Sequence, residues 1–271
     1  MLSSARMKDL LVSLLIGLAA GVLGGLVGGG GGVVMIPLMV SVLGVTQHQA
    51  HGTSLMSLVF TGLSGAIAYS TRGSVDLAAG ISLAIPAVAT ARFGARYAHA
   101  LPEWQLKRAF GAFLSLVIVL FVLRPWLAGF AHPAHGLAKI ALLAAAGTLT
   151  GFLSGMMGIG GGNVMVPAMV LLAGFPQVLA QGTSLLAMVP AGLAGSHEHW
   201  RLGNVVRRLL PGLVPGVFAG TWVGSSIALR LDEATLRGVF VAVASYSAYR
   251  SLRARRPAPA PATAAAPIAA P

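Results

Sequence analysis

The chain has no cysteine, which excludes disulfides, thiolate nucleophiles and cysteine-ligated metals. Charge is also scarce. Only 9% of the 271 residues are Asp, Glu, Lys or Arg, against about 25% in a soluble domain. With 56% hydrophobic residues and a mean hydropathy of +0.84, too little polar surface remains to cover a water-exposed globule. An ordinary soluble enzyme, a coiled coil and a disordered chain are thereby excluded. Outer-membrane barrels alternate apolar and polar residues in strands of about 10 residues; here the apolar residues form long unbroken blocks. The chain reads as an all-α polytopic membrane protein. Acidic residues are the rarest charges, six against 18 Lys and Arg, for a net charge of +12. In a soluble protein that excess would suggest nucleic acid. In this chain the basic residues sit at the ends of apolar blocks, as in cytoplasmic loops, so no nucleic-acid partner is expected.

What the chain has in abundance is glycine, 36 residues, and its glycines repeat. A shift of 130 residues overlays the two halves without a gap. Gly21, Gly25, Gly28 and Gly30 to Gly32 fall on Gly151, Gly155, Gly158 and Gly160 to Gly162. Pro37 falls on Pro167, and Gly52-Thr53-Ser54-Leu55 on Gly182-Thr183-Ser184-Leu185. The sequence therefore divides into a first transmembrane repeat (1–125), a linker (126–137), a second repeat (138–256) and a Pro/Ala-rich tail (257–271) without apolar periodicity, read as disordered. Arg6 and Lys8 ahead of a Leu-rich stretch resemble a signal peptide. The matching segment of the second repeat lies mid-chain, so the first is read as a retained helix.

Each repeat holds five apolar segments, expected at 9–27, 33–45, 52–71, 76–99 and 103–124, and at 138–157, 163–174, 182–200, 209–229 and 234–250. A span needs about 20 residues, which four segments per repeat supply. The second segment is too short and follows a glycine run, so the first two form a broken or re-entrant hairpin near the membrane midplane. The loop after segment three carries Arg72 beside Asp76 in the first repeat, but Arg201, Arg207 and Arg208 in the second. Matching loops thus prefer opposite sides, which predicts an inverted repeat with both termini cytoplasmic.

Five consecutive glycines, Gly28 to Gly32, break a helix. Non-helical backbone survives at membrane depth only where protein or a wet cavity surrounds it. A helix starting after such a break offers free N–H groups and a positive dipole end, the arrangement that binds anions. The candidate substrate-binding residues are therefore Gly30, Gly31 and Gly32 with Gly160, Gly161 and Gly162. Thr53, Ser54, Thr183 and Ser184 are read as caps opening the third segments and as hydroxyl donors. Asn163 replaces Val33 at the second break and joins the set. Pro37 and Pro167 mark kinks or early turns. His51, Gln181 and Glu198 are candidates for proton coupling or a secondary role. Beside Trp200 and Arg201, the run His197-Glu198-His199 reads as a solvated interface; its spacing is not the zinc-protease pattern. Gly62-Leu63-Ser64-Gly65 resembles an intramembrane serine-protease motif, which the matching Ala194 argues against.

The glycine break followed by a short Pro-containing segment, then Gly-Thr-Ser-Leu, present twice, resembles the TauE/SafE (sulfite exporter) family of membrane transporters over roughly residues 10–250. The resemblance implies transport of a small anion, with sulfite, sulfoacetate and other organosulfur anions as candidates. The expected protein is a secondary transporter in the bacterial cytoplasmic (inner) membrane. Its expected partners are a small anion, the lipid bilayer and a coupling ion or proton; no cofactor, metal or catalytic residue is expected. The rivals are a passive anion channel and a membrane-embedded enzyme.

The cysteine-free background makes topology directly testable. Single cysteines at Ser74 and Asn204 should react with an impermeant thiol reagent from opposite sides of the membrane. Equal labelling from one side contradicts the inverted repeat.

Overall fold

The computed structural model describes residues 4–97 and 136–253 and, between them, residues 104, 105, 108, 111, 112, 114–116, 118, 119 and 123. Half of the expected fifth segment of the first repeat, most of the linker and the Pro/Ala-rich tail lie outside the described residues. Among the described residues the regular structure is helical, with no strand. The helices are α1 (Ser4–Val27), α2 (Gly32–Leu43), α3 (Gln47–Ser70), α4 (Leu77–Tyr97), α5 (Gly136–Met157), α6 (Gly162–Pro167), α7 (Gln177–Arg201), α8 (Leu210–Ala228) and α9 (Glu233–Leu252). A π-helical stretch, Ala168–Leu172, continues α6. Five of these are long and apolar enough to cross a membrane: α1, α3, α4, α5 and α7. The sequence reading expected four such segments per repeat. At 19 residues, with Pro215 in its interior, α8 is shorter than the first-repeat spans, although it packs among them.

Glycine spacing dictates the packing. In α1, Gly17, Gly21 and Gly25 lie in turn against backbone at 213–217, 217–221 and 221–225 of α8, so the two helices run parallel. In α5, Gly147, Gly151 and Gly155 meet Leu83, Ala87 and Ala91 of α4, again in parallel. A Cβ at Gly17, Gly21 or Gly25 would stand 2.5–2.6 Å from a carbonyl oxygen of α8. Four-residue glycine spacing is the membrane device for such close approach. Each pair joins one repeat to the other, and the 130-residue shift converts one pair into the other. Matching helices α3 and α7 cross antiparallel: Gly62 lies against Leu185 and Val189, while Gly192 lies against Leu55 and Val59.

The loops 74–76 and 204–206 stand at opposite ends of this bundle. Asp76 N–H reaches the start of α7 at Thr183, and Val206 N–H reaches the start of α3 at Thr53. The starts of α1 and α3 share one end with the end of α9. Asp9 of α1 faces Arg208 at 3.9 Å, Gly52 touches Asn204, and Gln47 shares a cavity wall with Arg250. That end is called the terminal face below.

The third helices begin earlier than the sequence reading placed them. Thr46 caps α3 in a capping box: its Oγ1 accepts the Gln49 N–H (3.2 Å) and Gln49 Oε1 accepts the Thr46 N–H (3.1 Å). The polar run Gln47-His48-Gln49, read as loop, is therefore the first helical turn. Thr53 and Ser54 consequently lie about two turns inside α3, and Thr183 and Ser184 inside α7, which starts at Gln177 after Pro176. They do not cap. Pro37 lies inside α2, and Pro167 ends α6 where the π-helical stretch begins. At α9, Asp232 is the cap; hydrogen bonds from the Thr235 hydroxyl and backbone N–H hold its carboxyl below the usual range.

Overpacking these interfaces should destabilise the fold. Gly21→Val or Gly216→Val, each forcing a side chain into facing backbone, should cost about 1–3 kcal/mol or more, read as a lower unfolding temperature in detergent. Gly238→Ala, with no atom within 4 Å of its Cβ, should stay within about 0.5 kcal/mol.

Candidate functional site

The two glycine breaks meet backbone to backbone at the centre of the bundle. Gly32 faces Gly158 and Ile159, Gly162 faces Gly28 and Gly29, and Leu58 and Met188 flank both Gly30 and Gly160. Gly30 and Gly160 both take φ of 88°, a left-handed conformation that side-chain-bearing residues avoid. This is unpaired backbone in an apolar interior, and its carbonyls need donors.

The Gly-Thr-Ser motifs supply them, across the repeats. Ser54 Oγ donates to Gly158 O (2.9 Å), and Ser184 Oγ donates to Gly28 O (2.7 Å). Thr53 Oγ1 accepts the Val206 N–H and Thr183 Oγ1 accepts the Asp76 N–H, both at 2.9 Å. Gly52 lies against backbone at Asn204, and Gly182 against backbone at Ser74. All four hydroxyl residues are fully buried. Each motif thus holds the other repeat's break through Ser and its third loop through Thr. The structure sets Ser54, Ser184 and Asn163 at the meeting glycine breaks, but Thr53 and Thr183 against loops from opposite ends of the bundle, and it uses the Thr and Ser oxygens for interrepeat bonds.

Two further residues tie down the helices leading into the breaks. Tyr69 shares its one hydroxyl proton between Gly25 O (2.8 Å) and Gln181 Oε1 (3.1 Å), while Gln181 Nε2 donates to Leu26 O (2.9 Å). His199, which matches Tyr69 under the shift, donates from Nε2 to Gly155 O (3.0 Å). The run 197–199 is therefore not the solvated cluster expected from sequence. His197 is exposed, but Glu198 and His199 are buried, with Glu198 Oε1 accepting from Arg96 Nε at 2.9 Å. Alignment of His199 with Tyr69 was the signal available in the sequence. Ser64 donates to Phe218 O (2.7 Å), a helix–helix bond between α3 and α8. Among the described residues no group of three His, Asp or Glu stands together as a metal site.

The one large cavity described, about 410 Å3, lies at the terminal face. Its inner end is Gly32 and Ile159 of the two breaks, its walls include Pro37, Gln47, His51 and Ser247, and its rim carries Arg250 and Arg253. Gln47 Nε2 and His51 Nε2 lie 3.3 Å apart within it. Arg250 and Arg253 sit over the rings of Tyr246 and Tyr249, at 6.0 and 4.5 Å, one helical turn before each. Among the described residues no carboxylate lines this cavity. Sequence reading placed Gly32 and His51 in the candidate set but missed Gln47, Ser247, Arg250 and Arg253. Nothing local in the sequence shows that the end of α9 folds over the start of α3.

A family model described as "Sulfite exporter TauE/SafE" matches residues 13–251. The chain is 30% identical over 229 residues to a probable membrane transporter protein, YunE, of Bacillus subtilis (strain 168), covering 76% of this chain and 84% of the relative. It is 29% identical over 231 residues to a probable membrane transporter protein of Xylella fastidiosa (strain 9a5c), covering 82% and 88%. No solved structure matches.

The swapped serine bonds predict matched losses. Ser54→Ala and Ser184→Ala should each lower stability by about 1–3 kcal/mol, because each leaves a buried glycine carbonyl short of a donor. Thermal unfolding in detergent would measure this, and a marked difference between the two variants would contradict their equivalence.

Proposed function

The chain belongs to the sulfite exporter TauE/SafE family and is an integral, multi-pass membrane transporter, not an enzyme, and from that premise we propose that it is a secondary transporter for a small anion. Sulfite, sulfoacetate or another organosulfur anion fits the family description. The observation that carries this reading is the cavity at the terminal face: cationic at its rim, without a carboxylate among its described lining residues, and ending at the glycine break. An anion entering there meets Arg250 and Arg253 first, then Ser247 and Gln47, then the N-terminus of α2. α2 is 12 residues long, and its first turn offers N–H groups without intrahelical partners. Such diffuse donors bind an anion without trapping it. In this reading the Thr and Ser residues shape the breaks that present those amides.

The terminal face is taken as cytoplasmic. Of the described basic residues, Lys8, Arg92, Arg96, Arg108, Arg201, Arg207, Arg208, Arg250 and Arg253 belong to that end, while Arg72, Lys139, Arg230 and Arg237 belong to the other. The antiparallel course of α3 and α7, which match under the shift, supports an inverted repeat in a bacterial inner membrane. His51, which lines the cavity beside Gln47, is the candidate for coupling anion uptake to a proton.

Purified protein in liposomes should show saturable uptake of labelled sulfite or a small sulfonate, at turnover rates far below those of a channel. Arg250→Ala should weaken apparent affinity about twofold to fivefold, corresponding to ~0.4–1 kcal/mol for a rim charge. Val40→Trp, which fills the cavity, should abolish uptake while the protein still elutes as a single species. Uptake of cations in place of anions, or full activity in Val40→Trp, refutes the reading.

A further inference from the structure

The two repeats do not hold the same conformation, and the difference is confined to one place. Four glycine pairs related by the 130-residue shift have nearly equal φ: Gly28 and Gly158 (69° and 62°), Gly30 and Gly160 (88° each), Gly44 and Gly174 (64° and 70°), Gly73 and Gly203 (64° and 72°). The fifth pair is opposite in hand. Gly31 has φ 75°, and Gly161 has φ −89°. The helices that follow differ in step: α2 is α-helical throughout, whereas the second repeat opens into a π-helical stretch after Pro167.

Access differs in the same sense. Gln47 lines the open cavity of the first repeat. Its counterpart Gln177 is fully buried, and neither amide atom has a hydrogen-bond partner. Asn163, the counterpart of cavity-lining Val33, is 2% exposed and its Nδ2 has no partner either. It borders a void of about 10 Å3 shared with Gly29, Gly31 and Val33. One primary amide with neither atom bonded and a second with its Nδ2 unpaired, both sealed in an apolar interior, carry a desolvation penalty. That is hard to account for in a permanent core, but natural in a site that is closed only part of the time.

We propose that Asn163 and Gln177 belong to a second small-anion vestibule, closed in this conformer, which opens on the face opposite the termini when Gly31 and Gly161 exchange backbone hand. The inference rests on the transport reading above and adds its second entrance. In the exchanged state Gly161 is left-handed, Gly31 is right-handed, the cavity at Arg250 is closed, and the two amides meet water or the anion. Gly31 and Gly161 are glycine because each must visit the left-handed region in one of the two states. The void space agrees with this. A Cβ at Gly31 now strikes the Ala20 backbone, whereas one at Gly161 meets the Thr150 methyl, and Thr150 is the counterpart of Ala20.

Single cysteines at Val40, which lines the open cavity, and at its counterpart Val170, 1% exposed here, report the two states. Labelling by an impermeant thiol reagent is followed from each face of sealed vesicles. Gly31→Ala, which conflicts with the present conformer, should raise labelling at Val170→Cys from the opposite face about tenfold and lower it at Val40→Cys. Gly161→Ala with Thr150→Ser, which fits the present conformer, should do the reverse and slow uptake. Gln177→Leu should raise the unfolding temperature while reducing uptake, since it removes a buried amide that only the other state satisfies. Unchanged labelling in the folded Gly161→Ala, Thr150→Ser protein, or wild-type uptake in Gln177→Leu, overturns the proposal. Labelling needs no substrate. Shifts in accessibility without anion uptake would uphold the hinge and refute the transport reading, and anion uptake without shifts would do the opposite.

Discussion

Everything in this protein depends on satisfying backbone that is not helical in the middle of an apolar bundle. Each glycine run leaves carbonyls and N–H groups without helical partners, and hydrocarbon offers none. The solution is reciprocal. Ser54 serves the carbonyl of Gly158, and Ser184 serves that of Gly28, so neither repeat completes its own break. The glycines make this possible in a second way, because Gly32 and Gly162 allow the two runs to cross at backbone contact. The breaks are consequently a joint property of the two repeats.

The same interdependence extends outward. Parallel contacts between α1 and α8, and between α4 and α5, interleave helices of the two repeats through glycine rows. The Thr of each Gly-Thr-Ser motif anchors the third loop of the other repeat. Neither repeat could bury its breaks or loops alone, which is why a 130-residue shift in sequence became an intertwined bundle and not two adjacent domains. Within this rigid frame the first repeat is open at Gln47 and the second closed over Gln177.

Much of this was legible in the sequence. The membrane class followed from charge scarcity, the duplication from the glycine register, and the hairpin from a segment too short to span. Thr53 and Ser54 were singled out for the right region but given the wrong task. Ser and Thr beside glycine suggest caps by local rules, and the true cap, Thr46, lay in a polar run that resembled a loop. Glu198 and His199 looked solvated beside Trp200 and Arg201, because sequence does not say which neighbouring helix covers a helix end. Here α4 covers it, through Arg96.

By itself the sequence determined an all-helical membrane bundle, its twofold repetition and the positions of its breaks, because hydropathy, spacing and glycine content are local properties. Only the tertiary structure decided what those breaks face and which polar groups hold them. It also decided that Arg250 and Arg253 stand over the mouth of α2 and α3, and that Gly31 and Gly161 take opposite hands. Those facts depend on contacts between residues distant in the chain, many of them more than 100 positions apart, and on a closed and an open arrangement of one repeated motif. A pattern that is nearly the same in both repeats cannot tell them apart.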